Sequence, residues 1–299
     1  QAYPSKPIRI IIPVGAGDLA DVGVRSVGGE IGQQMGQQVV VDNRPGAGGL
    51  IAYEMIAKAA PDGYTIGYGA VTLATSPSLF AKVPFNVARD FQPIVIQGTN
   101  ANILVITPSS SVQSMRELIE FARAKPGALI YGINGQGSSA HLSMELLKMM
   151  TGASLTYVSY KSVQQAVTDV IGGQTQLVCA APAPLLPHIQ AGRLRALGIT
   201  SLTRLQAAPT IPTVNEAGVP GYEVIGWGGY IAPAGVPRQV VNRLNTEINK
   251  ALQAPAILKG VLARGATPGG GSPEQFADLI RNETAKWAKV IRVAGIKPQ

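Results

Sequence analysis

Short apolar runs alternate with helical patterns along most of this chain, and that alternation restricts the fold more than any other feature. The run 8–14 predicts a strand, residues 19–35 predict a helix after a Gly-rich turn, and 39–41 predicts the next strand. Similar runs follow at 94–96 and 103–106. Strands that alternate with helices favour a parallel sheet covered by helices on both faces. The sequence therefore predicts an α/β fold.

The length predicts two lobes, because 299 residues exceed one ordinary α/β domain. We expect each lobe to be a mostly parallel sheet flanked by helices. The connections between the lobes are expected near 99–102 and 224–229. Lobe one would then be discontinuous, with residues 1–100 plus 228–299, and lobe two would hold 101–227. Two crossing strands would make a hinge and leave a cleft at the carboxyl ends of the strands.

Composition excludes several classes of protein. The net charge is +8, but the basic residues are scattered and aromatic residues make up 5%, so we expect no nucleic acid partner. The single cysteine, Cys179, lies in an apolar run and cannot form a disulfide within the chain. No apolar run reaches the length of a transmembrane helix. The chain begins at Gln1 without Met, so we expect a mature form from which a signal peptide has been removed.

The first Gly-rich turn carries a motif of dinucleotide-binding proteins. Gly15–Ala20 fits the pattern G-x-G-x-x-A between a strand and a helix. Asp42 follows the second strand, at the position of the acidic residue that binds the ribose in such proteins. Tyr157 and Lys161 also match the Y-x-x-x-K pair of short-chain dehydrogenases. An NAD(P)-binding oxidoreductase is therefore the alternative interpretation.

Two observations count against that alternative. The Y-x-x-x-K pair must lie on a helix so that both side chains share one face. Residues 156–160 are β-branched and aromatic, which predicts a strand instead. Asp18 would also place a negative charge beside a bound pyrophosphate. We therefore expect no cofactor and no enzyme.

Both Gly-rich turns suit a carboxylate. Each precedes a helix, whose first N–H groups are unpaired and lie at the positive end of the helix dipole. The second turn, residues 132–141, adds hydroxyl and amide donors. Ser138, Ser139 and His141 are more typical of a helix cap than of a nucleophile with its base, and His188 has no partners that would make a zinc site. We expect neither catalytic residues nor a metal site.

Motifs along the whole chain resemble one family. They are Tyr3–Arg9, Pro13–Arg25, Asp42–Gly49, Gly135–Leu142, Tyr160-Lys161, Pro233–Pro237, Gly271–Phe276 and Ala294–Pro298. Together they are similar to the Bug family, the extracytoplasmic solute receptors of tripartite tricarboxylate transporters.

The resemblance implies a two-lobed fold of the periplasmic-binding-protein type and a location in the periplasm. It implies a monomer that binds a small carboxylate, such as a dicarboxylate, an acidic amino acid or a nicotinate-like aromatic acid, and delivers it to a membrane permease. It also places Lys161 beside the cleft. The ligand-binding residues that it implies are Val14, Gly15, Ala16, Gly17, Asp18, Leu19, Ala20, Thr72, Thr75, Gly135, Gln136, Ser138, Ser139, Tyr160, Ala181, Pro182 and Trp227.

Asp18 departs from the family pattern, which usually has Gly at that position. Ala20 stands where the family has Ser or Thr, so the turn has lost a hydroxyl and gained a carboxylate. Two unit charges about 4 Å apart interact by roughly 4 kcal/mol in a partly screened site. If Asp18 faces the cleft, we expect a ligand with a cationic or neutral group near its bound carboxylate. If it instead caps the helix, no such constraint follows.

Overall fold

The computed structural model describes residues 3–133, 135–160 and 162–298. The elements before the first crossing are β1 (Ile8–Ile12), α1 (Leu19–Met35), β2 (Val39–Asn43), α2 (Leu50–Ala57), β3 (Thr65–Ala70), α3 (Val71–Leu79) and β4 (Phe91–Ala101). The middle elements are β5 (Ile103–Ile106), α4 (Met115–Ala124), β6 (Ile130–Ile133), α5 (Ser139–Thr151), β7 (Thr156–Ser159), α6 (Val163–Ile171), β8 (Leu177–Ala180), α7 (Pro182–Gln190) and β9 (Arg195–Ile199). The last elements are β10 (Ile225–Pro233), α8 (Arg238–Leu252), α9 (Pro255–Ala263), β11 (Ala266–Gly270) and α10 (Pro273–Val293).

These elements form two sheets flanked by helices, which confirms the two-lobed α/β prediction. Within the described residues the first sheet has the order β11-β4-β10-β3-β1-β2, and the second has the order β7-β6-β8-β5-β9. Strand β1 is parallel to β2 and β3, and β6 is parallel to β7 and β8. The other pairings, which involve β10, β11 and β5, are antiparallel. The expectation of mostly parallel sheets was therefore wrong, and both sheets are mixed.

The antiparallel pairings come from the way the chain passes between the sheets. β4 belongs to the first sheet and ends at Ala101, and β5 begins the second sheet at Ile103. The chain returns in β10, which pairs with β4 from Ile225↔Ala101 to Pro233↔Phe91. A strand that returns in this way runs against its partner, and no crossover helix is needed. The β4–β10 ribbon thus leads directly to the junction of the two sheets.

Three elements differ from the sequence-based expectation. Helix α3, which starts at Val71 immediately after β3, was not predicted. Helix α7 occupies a Pro-rich segment, because Pro182 stands at its first turn, where a missing N–H costs nothing. Strand β11 has the sequence ATPGG, which is unfavourable for a strand and is tolerated at the sheet edge.

The core covers both faces of the sheets. The alternate isoleucines of β1 pack with Val24, Val27 and Ile31 of α1 and with residues of α8. Phe276 and Trp287 of α10 are fully buried in a cluster that also includes residues of the second sheet. Helix α10 therefore holds the two sheets together on the side of the C-terminal helices. No helix in the described ranges is long and apolar enough to cross a membrane.

Candidate functional site

A cleft of about 320 Å³ lies between the two sheets. Both sheets contribute to it, and so does the segment around α9 and β11. The described residues that line it are Val14, Asp18, Leu19, Ala20, Gly23, Tyr68, Ala70, Val71, Thr72, Gln97, Gly98, Thr99, Asn100, Ser138, Ser139, Ala181, Gly226, Trp227, Gly228, Val261, Arg264 and Ala266.

In the described part of the chain, four helices begin at this cleft. Helices α1 and α3 follow the neighbouring parallel strands β1 and β3 of the first sheet. Helices α5 and α7 follow β6 and β8, which are neighbours in the second sheet. The first residues of all four helices, or their caps, line the cleft. Because helix N-termini present N–H groups and positive dipole ends, this arrangement favours an anion between the sheets.

Side chains cap only part of these N-termini. Asp18 accepts a hydrogen bond from the Ala20 amide at 2.9 Å, and Ser138 accepts one from the His141 amide at 3.3 Å. Helix α3, whose N-cap is Ala70, and helix α7, whose N-cap is Ala181, have no side-chain cap. The Tyr53 hydroxyl does accept hydrogen bonds from the backbone amides of Ala70 and Leu73, so only part of the start of α3 is available to a ligand.

Asp21 holds the first Gly-rich turn in place. Its buried carboxylate accepts hydrogen bonds from the Gly17 amide at 2.8 Å, from Asn43 at 3.0 Å and from Arg25 at 2.9 Å. Asn43 also donates to the carbonyl oxygen of Val14 at 3.0 Å. Burial acts to raise the pKa of Asp21, but these hydrogen bonds outweigh it and lower the pKa. The turn is therefore fixed from behind, which leaves its front available to a ligand.

Neutral polar groups line the part of the cleft formed by the crossing strands. The Tyr68 hydroxyl and the Asn100 amide have no hydrogen-bond partner among the described residues. A Cβ on Gly228 would lie 2.0 Å from the Tyr68 hydroxyl, and one on Gly226 would lie 2.8 Å from Oδ1 of Asn100. The two glycines thus make room for these polar side chains. Burial, with smaller effects of Tyr53 and Asp18, raises the pKa of Tyr68, so its hydroxyl stays protonated and can donate.

Two charges of opposite sign face the cleft. Asp18 and Arg264 are the charged residues among the described residues that line it. Asp18 was expected either to cap α1 or to face the cleft. In the structure it does both, because its side chain caps α1 and the residue lines the cleft. Arg264 follows α9 as its C-cap residue and is partly buried.

The two sides of the cleft touch each other at its margins. A Cβ on Gly265 would lie 2.9 Å from Cβ of Pro182, so the turn before β11 packs directly on the start of α7. A Cβ on Gly137 would lie 2.2 Å from Cδ1 of Leu79 in α3. The structure thus has the sheets close together around the cleft.

The structure brings about half of the expected ligand-binding residues to the cleft. Those that line it are Val14, Asp18, Leu19, Ala20, Thr72, Ser138, Ser139, Ala181 and Trp227. Those that are not among its described lining residues are Gly15, Ala16, Gly17, Thr75, Gly135, Gln136, Tyr160 and Pro182.

Several members of this second group have another structural role. The Gly17 amide binds Asp21, and Tyr160 donates to Asp169 at 2.7 Å. Thr75 is buried inside α3, and Pro182 packs on Gly265. Lys161, also expected beside the cleft, lies outside the described residues, as does Asn134 of the second turn.

The sequence-based expectation missed the residues of the crossing strands and of the α9–β11 segment. Gln97, Gly98, Thr99 and Asn100 lie on β4, and Arg264 lies in the turn before β11. Residues 99–102 were expected to cross between the lobes, and a crossing strand must border the cleft. That signal could have identified part of β4. No local pattern singles out Arg264, because β11 itself was not predicted.

The residues of the oxidoreductase alternative are engaged elsewhere. Asp42 is paired with both Arg9 and Arg44, so it does not offer a free carboxylate to a ribose. Tyr157 lies on strand β7, as the sequence predicted, where Y-x-x-x-K chemistry has no helix face. In the second turn, His141 accepts a hydrogen bond from the Gly137 amide at Nδ1 and does not act as a base toward Ser138.

Cys179 is buried, and burial raises the pKa of its thiol to about 12.

Known proteins resemble this chain over nearly all of its length. Residues 24–296 match the model of the tripartite tricarboxylate transporter family receptor. The protein BugT of Bordetella pertussis is 37% identical over 299 residues, which cover 99% of this chain and 92% of that protein.

Solved structures show the same fold. Rpa4515 of R. palustris, solved with adipate, has a TM-score of 0.88 at 34% identity, with 99% of this chain and 100% of that chain covered. MatC of Rhodopseudomonas palustris, solved with bound malate, has a TM-score of 0.85 at 26% identity, with coverages of 97% and 100%. The family consists of solute-binding receptors and not of enzymes. The chain belongs to the tripartite tricarboxylate transporter receptor family, also known as the Bug family.

Proposed function

We propose that this protein binds a small carboxylate in the cleft between its sheets and delivers it to the membrane permease of a tripartite tricarboxylate-type transporter. The observation that carries the proposal is the meeting of four helix N-termini at one cleft in the described part of the chain. The family's periplasmic receptors, and the relatives solved with adipate and malate, support the same ligand class and a location in the periplasm. We further propose that the protein acts as a monomer, without nucleic acid.

The ligand would be bound mostly by neutral donors. Its carboxylate would lie at the start of α1 and α5, near Ala20 and Ser139, in the cleft that the start of α3 also lines. Each favourable helix-terminus contact with an anion contributes typically about 0.3–1 kcal/mol. Tyr68 and Asn100 would supply further hydrogen bonds, because neither has a competing partner among the described residues.

Closure of the two lobes would follow from ligand contacts on both sides. We propose the lobes as residues 1–100 with 228–299 and residues 101–227, which meet within the β4–β10 ribbon. A ligand that contacts α1 on one side and α5 on the other stabilises the closed arrangement over the open one. The closed surface would then be the form that the permease recognises.

A thermal-shift screen tests the proposal. Monocarboxylates, dicarboxylates, acidic amino acids, nicotinate, NAD and NADP would each be added to the purified protein. A ligand bound to the folded state raises the melting temperature, by linkage that is worth about 2.7 kcal/mol at a concentration of 100 Kd. We expect a shift with one or more carboxylates and none with the dinucleotides.

Tyr68→Phe locates the binding event in the cleft. Its hydroxyl has no partner among the described residues, so its loss should reduce the ligand-induced shift and leave the unliganded melting temperature nearly unchanged. Tyr157→Phe is the matched control, because it removes an exposed tyrosine hydroxyl outside the cleft. Stabilisation by NAD(P) and by no carboxylate would contradict the proposed function.

A further inference from the structure

Arg264 differs from most arginines of this chain in having no acidic partner. Among the described residues its guanidinium has neither an ion pair nor a hydrogen bond. The arginines that pair with a carboxylate at 2.9 Å or less are Arg9, Arg25, Arg44, Arg89, Arg204 and Arg281. A partly buried guanidinium without such a partner is an available site for an anion, since it offers N–H donors in a fixed fork.

The guanidinium lies against its own helix and is partly buried. Its Nη1 atom lies 3.3 Å from the position that a Cβ on Gly260 would occupy, so the side chain folds back along α9 over that glycine. A glycine inside a helix costs about 1 kcal/mol relative to alanine. At this position the glycine gives the guanidinium room.

Arg264 lies where the two sides of the cleft meet. The next residue, Gly265, has a φ of 70° and packs on Pro182 of α7. The segment that carries Arg264 therefore closes one margin of the cleft. The starts of α1 and α3 line the same cleft, so a ligand with two anionic groups can meet both a helix N-terminus and the guanidinium.

We propose that Arg264 binds the second anionic group of a dianionic ligand, whose first carboxylate lies at the helix N-termini. This inference rests on the proposed function and makes it narrower, because it selects acids with two carboxylates over monocarboxylates. Acidic amino acids share the second carboxylate with the simple diacids. An acidic amino acid differs from a simple diacid in carrying an ammonium group, and that group would face Asp18.

Calorimetric titration of matched acids tests the proposal. Glutarate and adipate would be compared with valerate and hexanoate, which have the same number of carbons and one carboxylate, and with L-glutamate. We expect the wild-type protein to bind at least one diacid or glutamate more tightly than the monoacids. Arg264→Gln should weaken that binding by about 10- to 100-fold, the effect of losing a hydrogen bond to a charged group. Binding of the monoacids should remain unchanged.

Lys259→Gln is the matched control, because it removes one positive charge from the same helix at an exposed position outside the cleft. It should leave every affinity unchanged. Arg264→Lys keeps the charge and loses the fork, so it should give an intermediate affinity for the diacid. This variant also separates the loss of the guanidinium from a failure to fold.

Several outcomes would overturn the inference. If monoacids bind as tightly as diacids, or if Arg264→Gln weakens both classes equally, Arg264 does not bind a second carboxylate, and the proposed function still stands. If no carboxylate binds the wild-type protein in this titration or in the thermal-shift screen, the proposed function and the inference fall together. A preference for glutamate over glutarate would assign the ammonium group to the Asp18 side.

Discussion

At the scale of single residues, the cleft separates groups that hold the backbone from groups that a ligand can reach. Asp21 is buried and engaged by three donors, whereas Asp18 is exposed and makes one capping hydrogen bond. Two carboxylates three residues apart therefore have different roles. Asp21 fixes the shape of the turn, and Asp18 sets the local charge in front of it.

Asp18→Asn separates the capping role from the charge. Asn and Asp are about equally good N-caps, so the variant should keep α1 intact. Without the negative charge, we expect a simple diacid to bind about 3- to 10-fold more tightly, and an acidic amino acid with its ammonium group to bind more weakly. Calorimetric titration of glutarate and L-glutamate measures both changes.

Asp18→Ala is the comparison variant, because it also removes the cap and should cost about 1 kcal/mol of stability. Equal changes for glutarate and glutamate in Asp18→Asn would show that the Asp18 charge does not discriminate between them.

Asp21→Asn should change the dependence of stability on pH. The folded-state pKa of Asp21 is lowered, so its carboxylate stabilises the protein fully above the ordinary pKa of about 3.9. That contribution is lost as the pH falls through the lower folded-state pKa. We therefore expect wild type to exceed the variant by about 1–3 kcal/mol in free energy of unfolding at neutral pH, with the difference shrinking below about pH 4. Urea unfolding at several pH values measures this.

Asp278→Asn is the control for this series. Asp278 pairs with Arg281 on the surface, where both side chains are more than half exposed. Such pairs contribute little, so we expect a change below about 1 kcal/mol at any pH. A constant difference between wild type and Asp21→Asn across the whole pH range would contradict the assigned role of the ionised carboxylate.

At the scale of elements, the cleft depends on turns that only glycine allows. Gly265 has a φ of 70° and contacts Pro182, and Gly192 has a φ of 68° after α7 with no atom within 4 Å of a Cβ. Both glycines follow the C-cap residue of a helix. They therefore share the same backbone requirement and differ in their surroundings.

Gly265→Ala should disturb the contact across the cleft. Both Gly265→Ala and Gly192→Ala place an L-residue in the left-handed region, which costs about 1–2 kcal/mol. Only Gly265→Ala also forces the α9–β11 turn away from a rigid proline ring. We expect both variants to lose similar thermal stability in the unliganded state, and Gly265→Ala alone to bind ligand more weakly. Equal ligand affinities of the two variants would contradict a role of this contact in closure.

Much of the element pattern could be predicted from the sequence, and the reasons for the failures are physical. Buried strands such as β1 are continuous apolar runs, and Asp18, Ser138 and Ser272 mark helix starts by their chemistry. Strand β11 was missed because Pro and Gly are poor strand formers, and the edge pairing with β4 supplies what the local sequence lacks. Arg264 could not be assigned to the cleft without β11, since only the tertiary pairing brings it there.

At the scale of the whole molecule, the two tryptophans of the chain share one carboxylate. Trp227 lines the cleft and donates to Oε2 of Glu283 at 3.2 Å, and Trp287 in the core donates to the same oxygen at 2.7 Å. Trp227 lies on the returning strand β10, whereas Glu283 lies on α10. Glu283 thus connects the cleft to the helix that joins the two sheets.

Intrinsic fluorescence should therefore report ligand binding. We expect a carboxylate that binds in the cleft to change the emission of Trp227 and to leave the buried Trp287 nearly unchanged. Trp287→Phe should keep the ligand-induced change, and Trp227→Phe should lose it. Fluorescence titration with the acid that gives the largest thermal shift measures this. A change that survives only in Trp227→Phe would place the binding site away from the cleft.

The sheet order also has a consequence for synthesis on the ribosome. In the first sheet, β4 lies between β10 and β11, so it has no neighbour in its sheet until the last quarter of the chain has been made. The second sheet consists of β5 to β9, which are all complete before β10 leaves the ribosome. Since domains generally fold as units during synthesis, we expect the middle of the chain to fold first, while β3 and β4 wait with unpaired edges for β10. The nascent N-terminal third is therefore the part that most needs a chaperone.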